Sequence, residues 1–209
     1  MHNLSVYQWP LPEGKNGQQA VEILQKRVEQ LGATKTGTFC VDCETYQSSL
    51  GPNAPTKNVF LVHNTEHPAT TFAVLESGLV LVADSLLDIF MLKLNGAYNL
   101  KKNANIESKG QRYEQMDFVI KIGSVSIGPS FKGILVEVEY QPCDIPASCF
   151  DLMREFMQGF IGPSVQLPPQ LVAAKIAEPY TPKDTVQQYL DHFNSLRRTT
   201  AAGPPTRMQ

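Results

Sequence analysis

Four short segments of this chain are apolar at every position: residues 59–62 (VFLV), 72–75 (FAVL), 79–82 (LVLV) and 118–120 (FVI). A strand with one wet face alternates apolar and polar side chains. These segments do not, so each needs cover on both faces. Helices of the same chain supply part of that cover. A partner protein is the natural source of the rest, and no set of residues competes convincingly as an active site.

At 209 residues and 42% hydrophobic content, the chain suits one globular domain with a sizeable core. The net charge is −2, and Lys and Arg are spread thinly, with few doublets such as Lys101-Lys102 and Arg197-Arg198. Both facts argue against direct nucleic-acid binding, which needs a basic face. Met1-His2-Asn3-Leu4-Ser5 has neither the basic start nor the apolar core of a secretion signal, and no apolar run approaches the roughly 20 residues of a membrane helix. Four cysteines in this length make no disulfide framework, which fits the cytosol or nucleus.

The periodicity predicts strands near 4–9, 36–46, 57–64, 69–76, 79–83, 106–113, 116–127 and 132–140. Helices are expected over 18–31, where Val21, Leu24, Val28 and Leu31 share a face, and after Ser85 as a cap. Two more are expected, from Pro146 to about Phe160 and from Asp184 onward. The helix after Ser85 carries Leu86, Leu87, Ile89, Phe90, Leu92 and Leu94, apolar around most of its circumference, and so should be well buried. Residues 48–55 read as a mobile surface loop, and 199–209 as a frayed, disordered tail after a single domain over 1–198. About eight mostly antiparallel strands with roughly four helices suggest an α+β fold: a closed or nearly closed β-barrel flanked by helices on the outside. A two-layer α+β sandwich is the alternative.

Candidate chemistry is sparse. Cys40 and Cys43 have the CxxC spacing, but inside a strand that separation sends the sulfurs to opposite faces. His63-Asn64-Thr65-Glu66-His67 reads as a turn with an exposed histidine pair. The stretch 123–128 lacks the residues of a phosphate-binding loop and reads as part of a hairpin turned by Gly128-Pro129-Ser130. The carboxylates Asp42, Glu44, Glu137 and Glu139 are the serious competitor. Facing into a barrel together, they would hold Mg²⁺ or Mn²⁺, as in a metal-dependent phosphohydrolase of the tunnel triphosphatase type. Against this, Ile134, Val136, Val138 and Tyr140 claim the core side of their strand and turn Glu137 and Glu139 outward. Basic residues on the strands are also few, chiefly Lys109, Arg112 and Lys121.

Several segments, taken in order, resemble a known family. They are PLPEGK at 10–15, QQAVEIL at 18–24, GTFCVDCETY at 37–46, RY at 112–113, DFVIKIG at 117–123, GPS at 128–130 and VEVEY at 136–140. The set resembles the Mediator subunit 20 family from about Val6 to Arg198, departing at residues 1–3 and 48–56. The resemblance implies a β-barrel flanked by helices, in a non-enzymatic subunit of the Mediator head module. Such a subunit relays regulatory signals to RNA polymerase II in the nucleus. It implies pairing with the related barrel of Mediator subunit 18, tethered through the C-terminal helix of subunit 8. It implies no cofactor, no metal, no catalytic residues and no membrane. For the partner interface, the exposed side of the 106–140 meander is expected, around Tyr113, Phe118, Ile120 and Ile122.

Overall fold

Each all-apolar segment becomes part of a strand, and all the strands join one antiparallel sheet. The structure is a computed structural model and describes residues 2–49 and 56–201, without the side chains of 199–201. Its elements are β1 (Asn3–Trp9), α1 (Gly17–Gln30), β2 (Thr34–Ser48), β3 (Asn58–Asn64), β4 (Thr70–Leu75), β5 (Val80–Asp84), α2 (Leu86–Lys93) and β6 (Tyr98–Leu100). Then come β7 (Ile106–Gln115), β8 (Phe118–Ile127), β9 (Ser130–Tyr140), α3 (Pro146–Gln158), α4 (Gln170–Ala174) and α5 (Pro182–Ala201). The strand order is β1-β9-β8-β7-β2-β3-β4-β5, with β6 added to β2. The α+β antiparallel architecture is as expected. The short β6 and α4 carry too few residues for a period to show and were not anticipated.

Two local signals explain the long elements. Asn16 caps α1 reciprocally: its side chain accepts from the Gln19 N–H while the Gln19 side chain accepts from the Asn16 N–H. Gly128, at φ +55°, and Pro129 make the tight link that lets Ile127 pair with Ser130.

The sheet does not close. β1 and β5 stand at its two ends and do not pair. Laid flat, eight strands about 4.8 Å apart would separate those ends by roughly 34 Å. Yet α5 packs against β1 and β9 at one end and β4 and β5 at the other, so the sheet curls around this helix. α5 is therefore inside, where helices were expected only outside. Its Val186, Tyr189, Leu190, Phe193 and Leu196 fill the inner face against Leu4, Val6, Phe39, Val41, Cys43, Val62, Phe72, Val74, Ile106, Val125 and Leu135.

α5 also substitutes for a missing strand. Gln188 Oε1 accepts from the Val6 N–H at 2.9 Å, and its Nε2 donates to the Leu4 carbonyl at 3.3 Å. His192 Nε2 donates to the Val6 carbonyl at 3.0 Å. Burial lowers the His192 pKa against the opposing pull of the Val6 hydrogen bond and Asp191, and the neutral ring still donates to the carbonyl through Nε2–H. These side chains satisfy three backbone groups at the middle of β1 that would otherwise be left on an open edge.

The outer face is covered in two patches. α1 and α3 lie over β7, β8 and β9, where Leu24, Val28, Met153 and Met157 meet Tyr113, Ile120, Ile122, Val136 and Val138. α2 lies over β2, β3 and β4, with Met91 against Tyr46, Val59, Leu61 and Ala73. Among the described residues no helix is long and apolar enough to cross a membrane. α5 carries its backbone through Ala201, so the tail expected from Thr199 begins as helix. Residues 202–209 lie outside the described residues, as do 50–55 of the loop expected at 48–55.

The burial of Ile120 under α1 and α3 gives a direct test. Ile120→Glu buries an unpaired carboxylate, at a cost of about 4 kcal/mol or more. A sharp drop in thermal midpoint, or failure to accumulate as folded protein, is the expected outcome in circular dichroism melts.

Candidate docking surface

Three of the four all-apolar segments are sealed by the chain itself. Leu61 and Val62, Phe72 and Val74, and Val119 and Ile120 are all buried. The fourth is not: Leu79 is 54% exposed, Leu81 47% and Val82 53%.

The helix that follows has the same character. α2 docks by one stripe, with Met91 buried and Leu87 and Leu94 packed beside it. Leu86, Ile89, Phe90 and Leu92 face solvent, each more than half exposed. The expectation that α2 is well buried is therefore corrected. An eight-residue helix lying on a sheet has one covered side, and among the described residues nothing lies over the other. The cap also differs from expectation: Asp84 Oδ1 accepts from the Leu86 N–H at 3.0 Å, while the Ser85 side chain makes no cap.

β5 and α2 pack together, and Leu81 lies on the α2 side of the sheet while Val82 lies on the α5 side. Leu79, Leu81, Leu86, Ile89, Phe90 and Leu92 are each about half exposed or more. Large apolar side chains left exposed together on one strand and the helix beside it mark an interaction surface. Asp84 and Asp88 are the only charges within 79–92.

Asp88 is itself engaged. His63, on β3, lies between Asp42 of β2 and Asp88 of α2, with Nδ1 3.1 Å from Asp42 and Nε2 3.0 Å from Asp88. The hydrogen bond to Asp42 foremost, and that to Asp88 with burial opposing, push its pKa up to about 9. His63 is thus a half-buried imidazolium that ties α2 to the sheet, and not the turn-exposed residue expected.

The expected interface residues lie elsewhere. Tyr113, Ile120 and Ile122 are buried beneath α1 and α3, and Phe118 stacks on Phe156 with ring centres 4.0 Å apart. These residues meet one another as core. They do not form the exposed side of the meander, because α1 and α3 occupy that face.

The four carboxylates do not converge. Register places Glu137 and Glu139 on the inner face, beside Lys121 and Val6, while Asp42 and Glu44 lie on the outer face with Tyr46. One ion cannot bridge a sheet. The expectation that Glu137 turns outward is also corrected. Both faces of β9 are covered, and Glu137 is 1% exposed. It accepts from Lys121 Nζ at 2.7 Å and from the Tyr189 hydroxyl at 2.6 Å. Burial alone would lower the Lys121 pKa, but Glu137, Glu66 and Glu139 together raise it. The cavity beside this pair, about 360 Å³, is lined by Glu66, Arg112, Lys121, Glu137 and Glu139 among others. Cys40 and Cys43 lie on opposite faces as expected, and Cys43 joins the inner core.

Comparison with known proteins decides the family. A family model described as "TATA-binding related factor (TRF) of subunit 20 of Mediator complex" matches residues 1–194. The chain belongs to the Mediator subunit 20 family. It is 48% identical over 204 residues to "Mediator of RNA polymerase II transcription subunit 20" of Xenopus laevis, covering 95% of this chain and 97% of that one. It is 44% identical over 197 residues to the Homo sapiens subunit 20, covering 92% and 93%. Among solved structures, it is similar to a chain of the Schizosaccharomyces pombe Mediator head module. There the TM-score is 0.40 at 11% identity, over 75% of this chain and 94% of that one. The S. pombe Pct1 RNA triphosphatase matches at TM-score 0.30 and 12% identity, over 95% and 77%. In this Mediator subunit 20 family member, residues 79–92 carry seven of the fifteen large hydrophobic side chains exposed among the described residues.

Two measurements follow. Lys121→Met leaves Glu137 buried with only Tyr189 as donor, and is expected to cost about 3–5 kcal/mol in denaturant unfolding. The His63 clamp sets a pH dependence. Its folded pKa lies above the unfolded value of about 6.5, so its stabilisation is complete below that and is lost as pH rises through about 9. Wild type should therefore lose melting temperature between pH 6.5 and 9.5 more steeply than His63→Gln.

Proposed function

We propose that this chain is a non-enzymatic scaffolding subunit of the Mediator head module. It relays regulatory signals to RNA polymerase II in the nucleus through protein–protein contacts made at the β5–α2 face. Membership of the subunit 20 family supports the setting. The observation that carries the surface is the apolar face that the chain's own helices leave uncovered. Mediator subunit 18, with its related barrel, is the proposed occupant, and the C-terminal helix of subunit 8 is the proposed tether.

The separation of Asp42 and Glu44 from Glu137 and Glu139 across the sheet supports scaffolding over phosphoryl chemistry. So does the neutralisation of Glu137 by Lys121. The buried acidic residue then serves to position α5, through Tyr189, on the sheet.

Co-expression with Mediator subunit 18 tests the reading. The two chains should elute together, and Leu86→Asp/Phe90→Asp should abolish co-elution while leaving the melting temperature within a few degrees. Both positions are exposed, so the double variant is expected to fold. A wild-type chain that stays monomeric and ignores subunit 18 would sink the proposal.

A further inference from the structure

The sheet ends in two strands, and the chain finishes them differently. At β1, Gln188 and His192 occupy the Leu4 carbonyl and both backbone groups of Val6. Among the described residues β5 pairs with β4 alone. Leu79 accepts from the Leu75 N–H at 3.0 Å, and the same unbroken register continues through Leu81 opposite Ala73 and Ala83 opposite Thr71. Antiparallel ladders alternate, so the N–H and C=O groups of Val80 and Val82 point away from β4. No hydrogen bond reaches them from the described residues.

An edge left in this state normally carries protection: a lysine, a proline, a bulge or a covering segment. The sequence VLVAD has no lysine or proline, and its pairing with β4 has no register shift. Its side chains add to the invitation. Leu81 faces the α2 side and Val82 the α5 side, and both are about half exposed. A flat docking face would use the side chains and leave the backbone groups unpaired. A donated strand satisfies both.

We propose that the free edge of β5 accepts an extended strand from the Mediator partner, adding it to the sheet, with apolar residues on the side of the donated strand that faces α2. This rests on the docking reading above and deepens it: α2 and Leu81 select the side chains, and the backbone of Val80 and Val82 holds the register.

Val82→Pro isolates the backbone contribution. Proline at this position removes an outward N–H, not a bond to β4, and edge strands tolerate it there. Titration calorimetry with Mediator subunit 18 should show binding weakened roughly tenfold by Val82→Pro, from lost pairing, at nearly unchanged melting temperature. Hydrogen exchange on the wild-type complex should show the Val80 and Val82 amides protected only when subunit 18 is present. That second readout stands even if the proline variant fails to fold. Loss of binding in Phe90→Asp, with no weakening in Val82→Pro and no amide protection, would overturn strand addition and leave the docking face intact. Normal binding by both variants would overturn the docking reading as well. Protection arising in a dimer of the chain alone would assign the edge to a second copy and overturn the proposed occupant.

Discussion

The structure depends on α5 lying against the inner face of the sheet. Eight strands curl only if something fills the space they enclose, and here five apolar residues of one helix do so. The same helix solves the edge problem at β1, where the Gln188 amide offers one acceptor and one donor in the places a neighbouring strand would put them. It also brings Tyr189 to the buried Lys121–Glu137 pair. A buried ion pair contributes little net stability, but it tolerates few alternative arrangements. The apolar contacts supply the burial, and the polar ones determine where along the sheet the helix sits.

Much of this was legible in the sequence. The antiparallel α+β class, the eight longer strands and four of the five helices follow from periods of two and near four, because those elements are long enough for a period to appear. The opposite placement of Cys40 and Cys43 follows from strand geometry alone. Tertiary choices were not legible. Glu137 alternates with valines, which argues for a wet face. In the structure both faces of β9 are dry, and the exception is met by Lys121, sixteen residues away. Closure was expected because it removes edges, but a helix side chain can cap an edge as well as a strand can, and no periodicity announces that.

The interface expectation went astray for a related reason. Both 118–120 and 79–82 are apolar at every position, and sequence alone ranks them equally as surfaces needing cover. Long-range packing separates them: α1 and α3 fall on β8, while among the described residues the outer stripe of α2 and Leu81 of β5 stay exposed. The pattern that exposes the docking face was present in the chain, namely an apolar strand followed at once by a helix apolar around most of its circumference. Such a helix is well explained by a cover that another molecule brings, and membership of a family named for a subunit of a large assembly gives that cover a source.

The position of α5 in the chain has a consequence for how the protein is made. The Val6 N–H waits for Gln188, 182 residues later, and β1 waits for β9 to emerge before it has any neighbour. During synthesis the first strands therefore leave the ribosome with no inner face to bury against, and hydrophobic segments such as 59–62 stand open for most of translation. The nascent chain cannot complete its inner core piecemeal: that layer closes only when the C-terminal helix arrives.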